Sequence, residues 1–549
     1  MYIPTELDDR LAEIMMTAEA PSLLLLSGSA GGGKSALIRK LEGAIPAGTF
    51  SLVIEDATHA EAPNEDQMRT LAEALSGFRG GLPPSGQRIL LAANTGLMLR
   101  LERAFRGAGE TELAELAAFA LHRLGVTAAP PVSARREAEL EREVLVVDLD
   151  QRPTSGNEKR LLRSMLAALA PDSRNGIFKG ADRCRSCTVS AYCAPRTNLE
   201  LLSDPDLGAV IDKAVENVAL NRGRDIPPRL LWDGLGELAM GGIEVPEGTD
   251  PCETIATIAS ARDHGAVWSA LLPNGPLASG GASQLCQDLA VLDPSLQPSP
   301  EAHDIIARSG IDPESDAQML MAVLNPAGRG RHAVITAADY LRGEHPLDQV
   351  ARTSRGLVRA AWLAGRLPLL SDVPRAFIRA LDGDDDAVNQ LLQTVANGLV
   401  KAFGRHSEGS DYLPTESLAE SRRSRILVRV ELLGSLDLEE SRPLRDNPKG
   451  SHIVGMRPLS ARLKVGTASL DLDLALFRLL EKSSEGALAA SLDIERFHSL
   501  RHAVEILGRS AAENPNLPLL IVRSGDSNTY RASMVPWRGE DQLRIMRVS

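Results

Sequence analysis

The plainest chemistry in this 549-residue chain lies in eight residues, Gly28-Ser-Ala-Gly-Gly-Gly33-Lys34-Ser35. They fit the G-x-x-x-x-G-K-[ST] phosphate loop at every fixed position. Such a loop binds through its backbone. Gly28, Gly31, Gly32 and Gly33 let successive N–H groups face phosphate oxygens, Lys34 neutralises the β and γ oxygens, and the Ser35 hydroxyl can hold Mg²⁺. The expected ligands are ATP and Mg²⁺. Turnover further needs a carboxylate in the metal's water shell and a group that orients the attacking water. The stretch "TFSLVIEDATHA" offers Asp56 for the first role and Glu55 or His59 for the second, in the order Glu-Asp rather than the usual Asp-Glu. A second acidic strand end, "EVLVVDLDQR", makes Asp148 the rival metal carboxylate, with Asp150 beside it.

A separate group is rich in thiols. "ADRCRSCTVSAYCAPR" carries Cys184-x2-Cys187-x5-Cys193. Two cysteines two residues apart can grip one edge of a metal while the third folds over the other. Zn²⁺ is the first expectation and an iron–sulfur cluster the alternative. The fourth ligand is open between Cys252, Cys286 and a histidine. The spacing resembles the cysteine cluster of the iron–sulfur nucleases of bacterial recombination and CRISPR systems, which take a further cysteine from upstream; none precedes Cys184 here.

Positioning these groups requires strands that end at the loop. Leu23 to Leu26, Leu52 to Ile54, Ile89 to Ala93 and the run after Glu143 read as short buried strands separated by helices, which implies a parallel sheet. A helix follows the loop over Ala36 to Leu41, placing its positive end at the phosphates. Asn64 with Gln67 reads as a capping box, and Met68, Leu71, Leu75 and Phe78 share one helical face. Asn94, at the end of a strand expected beside the loop strand, matches the sensor 1 of AAA+ ATPases. "DPDLGAVIDKAVENVAL" and "RDIPPRLLWDGLGEL" read as two helices that resemble an AAA+ lid, with Arg229 at the sensor 2 position. The expected organisation is an α/β P-loop NTPase core, AAA+-like, over 1–174, a Cys-rich metal-binding insert over 175–198 and a helical lid over 199–240. A helical middle domain over 241–415 and an α+β C-terminal interaction domain over 416–549 complete it. In the last, "RILVRVELL" and "LPLLIVRSG" read as strands around a helical stretch that opens with "LDLDLALFRLLE".

Composition narrows the function classes. A 43% hydrophobic and 24% charged chain is globular, and its apolar runs are too short for a membrane span. With no signal-peptide pattern and only five cysteines, the cytoplasm is the expected compartment. A net charge of −13 argues against coating DNA by bulk electrostatics, and 3% aromatic residues argue against a base-stacking platform. Local positives remain at Arg183/Arg185/Arg196, Arg329/Arg331/His332 and Arg422/Arg423/Arg425/Arg429.

The ordered set "GSAGGGKS", "EDATHAEAPNEDQMRTLAEAL", "LLAANTG", the C-x2-C-x5-C insert and "RLLW" resembles the DptF (also DndF) family of DNA phosphorothioation-dependent restriction proteins, well over residues 15 to 240 and in outline beyond. The resemblance implies an ATPase component of a bacterial anti-phage restriction complex, acting with partner restriction proteins, a larger ATPase among them, on DNA that lacks sulfur modification. DNA contact would come through the complex, and the isolated chain is not expected to cut DNA. Two other readings stand beside it: an AAA+ or STAND-type NTPase of replication or signalling, and a nucleotide-gated scaffold with little hydrolysis.

Overall fold

The structure, a computed structural model, describes all residues except 1–2, 56–66, 81–86, 128–131, 153, 157–159, 172–183, 185, 327–330, 369–373, 416–423, 440–458, 487–497, 524–527 and 549. Asp56, His59 and Asn64 therefore lie outside the described residues, as do Arg183, Arg185, Arg329, Arg422 and Arg423. Among the described residues the chain divides into two compact units, one within Met1–Asp372 and the other within Val373–Ser549.

The first unit opens on a four-stranded parallel sheet in the order β2-β3-β1-β4, formed by β1 (Leu23–Ser27), β2 (Leu52–Ile54), β3 (Ile89–Ala93) and β4 (Val144–Asp148). Alternation of side chains splits each leucine-rich strand between two cores. Leu24, Leu26, Leu90, Ala92, Leu145 and Val147 pack against α1 (Glu6–Met16) and α2 (Lys34–Ala44), through Leu11, Met15, Leu37, Ile38 and Leu41. Leu23, Leu25, Ile89, Leu91, Val144 and Val146 face the other way, toward α3 (Gln67–Ala74), α4 (Thr95–Gly107), α5 (Thr111–Arg123) and α6 (Ala134–Glu143). A sheet buried on both faces explains why its strands read as unbroken apolar runs. The protein thus has α/β character in a helix-rich setting.

After α7 (Leu161–Ala168) the unit is helical. α8 (Ala194–Leu202), α9 (Pro205–Arg222), α10 (Pro228–Met240) and α11 (Pro251–Ser260) lead a series that runs to Leu363, in which α8, α9, α10 and helices after α11 share one extended core. Proline in the first turn starts each of these four helices, where its missing N–H costs nothing. Asp204 caps α9 by accepting from the Asp206 and Leu207 amides, and glycines in the left-handed region, Gly223 and Gly241, end α9 and α10. Two buried ion pairs, Arg331 with Asp204 at 2.6 Å and Arg359 with Asp293 at 2.7 Å, tie distant helices together.

The second unit holds a six-stranded antiparallel sheet, a three-stranded antiparallel sheet and helices, among them Asp385–Phe403 and Leu474–Ser484. Two sequence expectations are corrected here. The strands Arg405–Ser407 and Ser410–Pro414 join the six-stranded sheet, although they precede residue 416 in a region read as helical. Leu470 to Leu472, read as the start of a helix, close the strand Ala468–Leu472, and the helix begins only at Leu474. Among the described residues no helix is long and apolar enough to cross a membrane.

Candidate functional site

The glycine-rich loop joins the carboxyl end of β1 to the first turn of α2. Gly31 and Gly33 have φ of +83° and +92°, the left-handed region that residues with a Cβ enter at a cost. Gly33 is also the residue that caps α2, so the chain turns straight from loop into helix. The first N–H groups of α2, from Lys34 and Ser35 onward, have no acceptor within the helix and open toward the loop. Lys34 folds its side chain back: Nζ donates to the carbonyl oxygens of Gly28 at 2.6 Å and Ser29 at 2.9 Å. Ser35 is exposed. The arrangement is a cluster of donors, one ammonium and one helix N-terminus, which suits an anion with several oxygens.

Three elements close on this loop. The first is the end of β4. Ser27 pairs in register with Asp148, which brings "DLDQR" alongside the glycines. The Asp150 carboxylate accepts from the Ser29 amide at 2.8 and 2.9 Å and from the Ser29 hydroxyl at 2.8 Å. Asp148 in turn accepts from the Asp150 amide at 3.1 Å. Burial, assisted by the Asp150 charge, pushes the Asp148 carboxyl up to about 6, against hydrogen bonds that pull it down. The Arg152 guanidinium reaches Gly33, where a Cβ would lie 3.9 Å from it.

The second element is the start of α10. The Arg229 amide donates to the Gly31 carbonyl at 3.4 Å, and a Cβ on Gly31 would stand 2.9 Å from the Arg229 Cβ. Arg229 is therefore beside the loop although 194 residues separate it from Ser35. Its side chain is exposed. The third element is β3, the direct neighbour of β1. Asn94 follows the Ala93–Ser27 pair and caps α4, its Oδ1 accepting from the Leu97 amide at 2.7 Å.

Glu55 stands apart from this group. It follows β2, which β3 separates from β1, and its carboxylate pairs with Arg39 of α2 at 3.3 Å with both side chains largely exposed. The structure brings together Gly28 to Ser35, Asp148, Asp150 and Arg229, and leaves Glu55 at the margin. Arg152 was not singled out from the sequence. Its signal was position, four residues past Asp148 at the carboxyl edge of a parallel sheet, where ligand sites of open α/β sheets gather. Asp212 of α9 is a second carboxyl with no signal in the sequence: burial pushes it up to about 7, and its Oδ2 accepts from the Gly156 amide at 3.0 Å.

The cysteines form a second, separate site. Cys184, Cys187 and Cys193 line one cavity of about 260 Å³ together with Cys252, while Cys286 is buried elsewhere with its thiol toward the Gly234 carbonyl at 3.7 Å. Among the described residues the rest of the wall is mostly apolar, with Leu169, Val189, Leu199 and Ile255, and holds one cation, Arg196. Among the described residues no three His, Cys, Asp or Glu side chains stand close enough together to hold a single metal ion.

No family model, no curated protein and no solved structure matches the chain.

Proposed function

We propose that the chain binds MgATP at the Gly28–Ser35 loop and hydrolyses it, as a P-loop NTPase of AAA+ type. The observation that carries this reading is the loop itself: glycines at positive φ lead from a buried parallel strand into a helix that starts at Lys34, whose ammonium lies over the loop carbonyls. In this reading the loop and α2 amides receive the phosphates and Lys34 swings from the Gly28 and Ser29 carbonyls onto the β and γ oxygens. Ser35 and a strand-end carboxylate, Asp56 or its rival Asp148, complete the Mg²⁺ shell. Arg229, already against Gly31, serves as the arginine that responds to the γ-phosphate, and the Asn94 amide as the polar group at the sensor strand. Glu55 as the group that orients water would first have to leave Arg39.

The resemblance set out above supports placing this ATPase in a DNA phosphorothioation-dependent restriction assembly, as a nucleotide-driven switch acting with partner restriction proteins on unmodified DNA. A nucleotide-gated scaffold with slow turnover is the second reading, and the Glu55–Arg39 pair favours it. Phosphate release measured with and without duplex DNA distinguishes them. DNA-stimulated, Mg²⁺-dependent release that Lys34→Ala abolishes is the expected result; release that is equal in the native chain and in Lys34→Ala would overturn the assignment of the site.

A further inference from the structure

We propose that Cys184, Cys187, Cys193 and Cys252 ligate a [4Fe–4S] cluster in the cavity they share. The identity of the fourth ligand follows from placement: Cys252 opens onto the same space as the three clustered thiols, and Cys286 does not. The two sources are distinct elements. Cys193 is the residue preceding α8, and Cys252 is the second residue of α11, anchored by its amide on the Asp250 carboxylate at 2.9 Å. Both sulfurs thus sit at helix N-termini, where the positive end of the helix favours a thiolate.

The size of the space decides between one ion and a cluster. A tetrahedral zinc holds thiolates about 2.3 Å from itself and so about 3.8 Å from one another. Four cysteines surround one cavity. Its volume, about 260 Å³, is several times that of a water molecule, roughly 30 Å³. A cube of four irons and four sulfides holds its four cysteines farther apart than one ion does and occupies far more room. The wall around the thiols is mostly apolar, and Arg196, paired with Glu200 at 3.1 Å, donates to the Cys184 carbonyl at 3.0 Å and brings a positive charge beside them. On ligation each thiol releases one proton as its sulfur bonds to iron, with no change of oxidation state required of the protein. The cluster would staple the segment ahead of α8 to the N-terminus of α11.

The test uses the full chain, purified without oxygen and reconstituted with ferrous and ferric iron in equal amounts and sulfide. Iron and acid-labile sulfide at about four each per chain, with Cys252→Ser losing both and Cys286→Ser keeping both, is the expected result. Should Cys252→Ser fail to fold, the native stoichiometry and Cys286→Ser still decide. Stoichiometric zinc without sulfide, four thiols that remain free to alkylation after reconstitution, or loss of iron in Cys286→Ser would each overturn the proposal. None of these outcomes depends on nucleotide binding.

Discussion

Asp148 titrates where ordinary changes of pH reach it. Its folded carboxyl is pushed to about 6 from an ordinary value of 3.8, mainly by burial. Between those values the folded chain keeps a proton that the unfolded chain has released, so this group makes the protein less stable as pH rises through the window. At neutral pH the cost of the charged, buried form is about 2–3 kcal/mol. Asp148→Asn is expected to unfold at higher urea concentration than the native chain at about pH 7.5 and at nearly the same concentration at about pH 4. Asp212, pushed up to about 7, titrates in both proteins, so the difference between them isolates Asp148. Equal urea midpoints at both pH values would contradict the burial argument. The same pair of residues separates the metal carboxylates: loss of Mg²⁺-dependent turnover in Asp56→Ala, with Asp148→Ala active, assigns the metal to the end of β2, and the reverse assigns it to β4.

At the scale of elements, two close approaches hold the structure to glycine. Gly31→Ala places a Cβ 2.9 Å from the Arg229 Cβ at a φ of +83°, a strain of about 1–3 kcal/mol that falls on the loop and on the start of α10 together. It is expected to weaken ATP binding at least tenfold while the melting temperature falls only by a few degrees; unchanged ATP affinity would mean that α10 does not constrain the loop. In the second unit Gly398 lies against Leu480, whose carbonyl oxygen a Cβ would meet at 2.3 Å. Alanine gains about 1 kcal/mol of helix propensity over glycine, but forcing the helices Asp385–Phe403 and Leu474–Ser484 apart costs about 1–3 kcal/mol or more, so Gly398→Ala should destabilise the protein in denaturant titration. The sheet of the first unit was legible because burial on both faces leaves continuous apolar runs such as Leu23 to Leu26. The hairpin over residues 405 to 414 was not: its first strand, Arg405–Ser407, is short and mostly exposed, and its turn puts Glu408 and Gly409 at positive φ, where the sequence lacks the usual Asn-Gly signal. Leu470 to Leu472 alternate with aspartate as a strand should, but a strong helical pattern follows at once and masks them. At the site, the loop was legible from its own residues. The Asp150 clamp on Ser29 and the place of Cys252 beside Cys184 were not, because each joins parts of the chain that only folding brings together.

For the whole molecule, an acidic chain with one phosphate loop suits a switch better than a DNA-coating protein. A ligand shifts such a switch only by its preference for one state. ATP is therefore expected to strengthen association with restriction partners or DNA by about tenfold, equivalent to about 1.4 kcal/mol, and Arg229→Ala to abolish this gain while leaving basal association intact. Light scattering with ATP, ADP and no nucleotide checks it, and equal affinity in all three states would refute the switch. Every part of this reading rests on nucleotide entering the Gly28–Ser35 loop. The most direct test is calorimetric titration of the full chain with ATP in the presence of Mg²⁺, beside Lys34→Ala with its fold verified by circular dichroism. Saturable binding of about one ATP per chain that Lys34→Ala loses is the result expected from one such loop; no binding by the native chain, or undiminished binding by a folded Lys34→Ala, would contradict it.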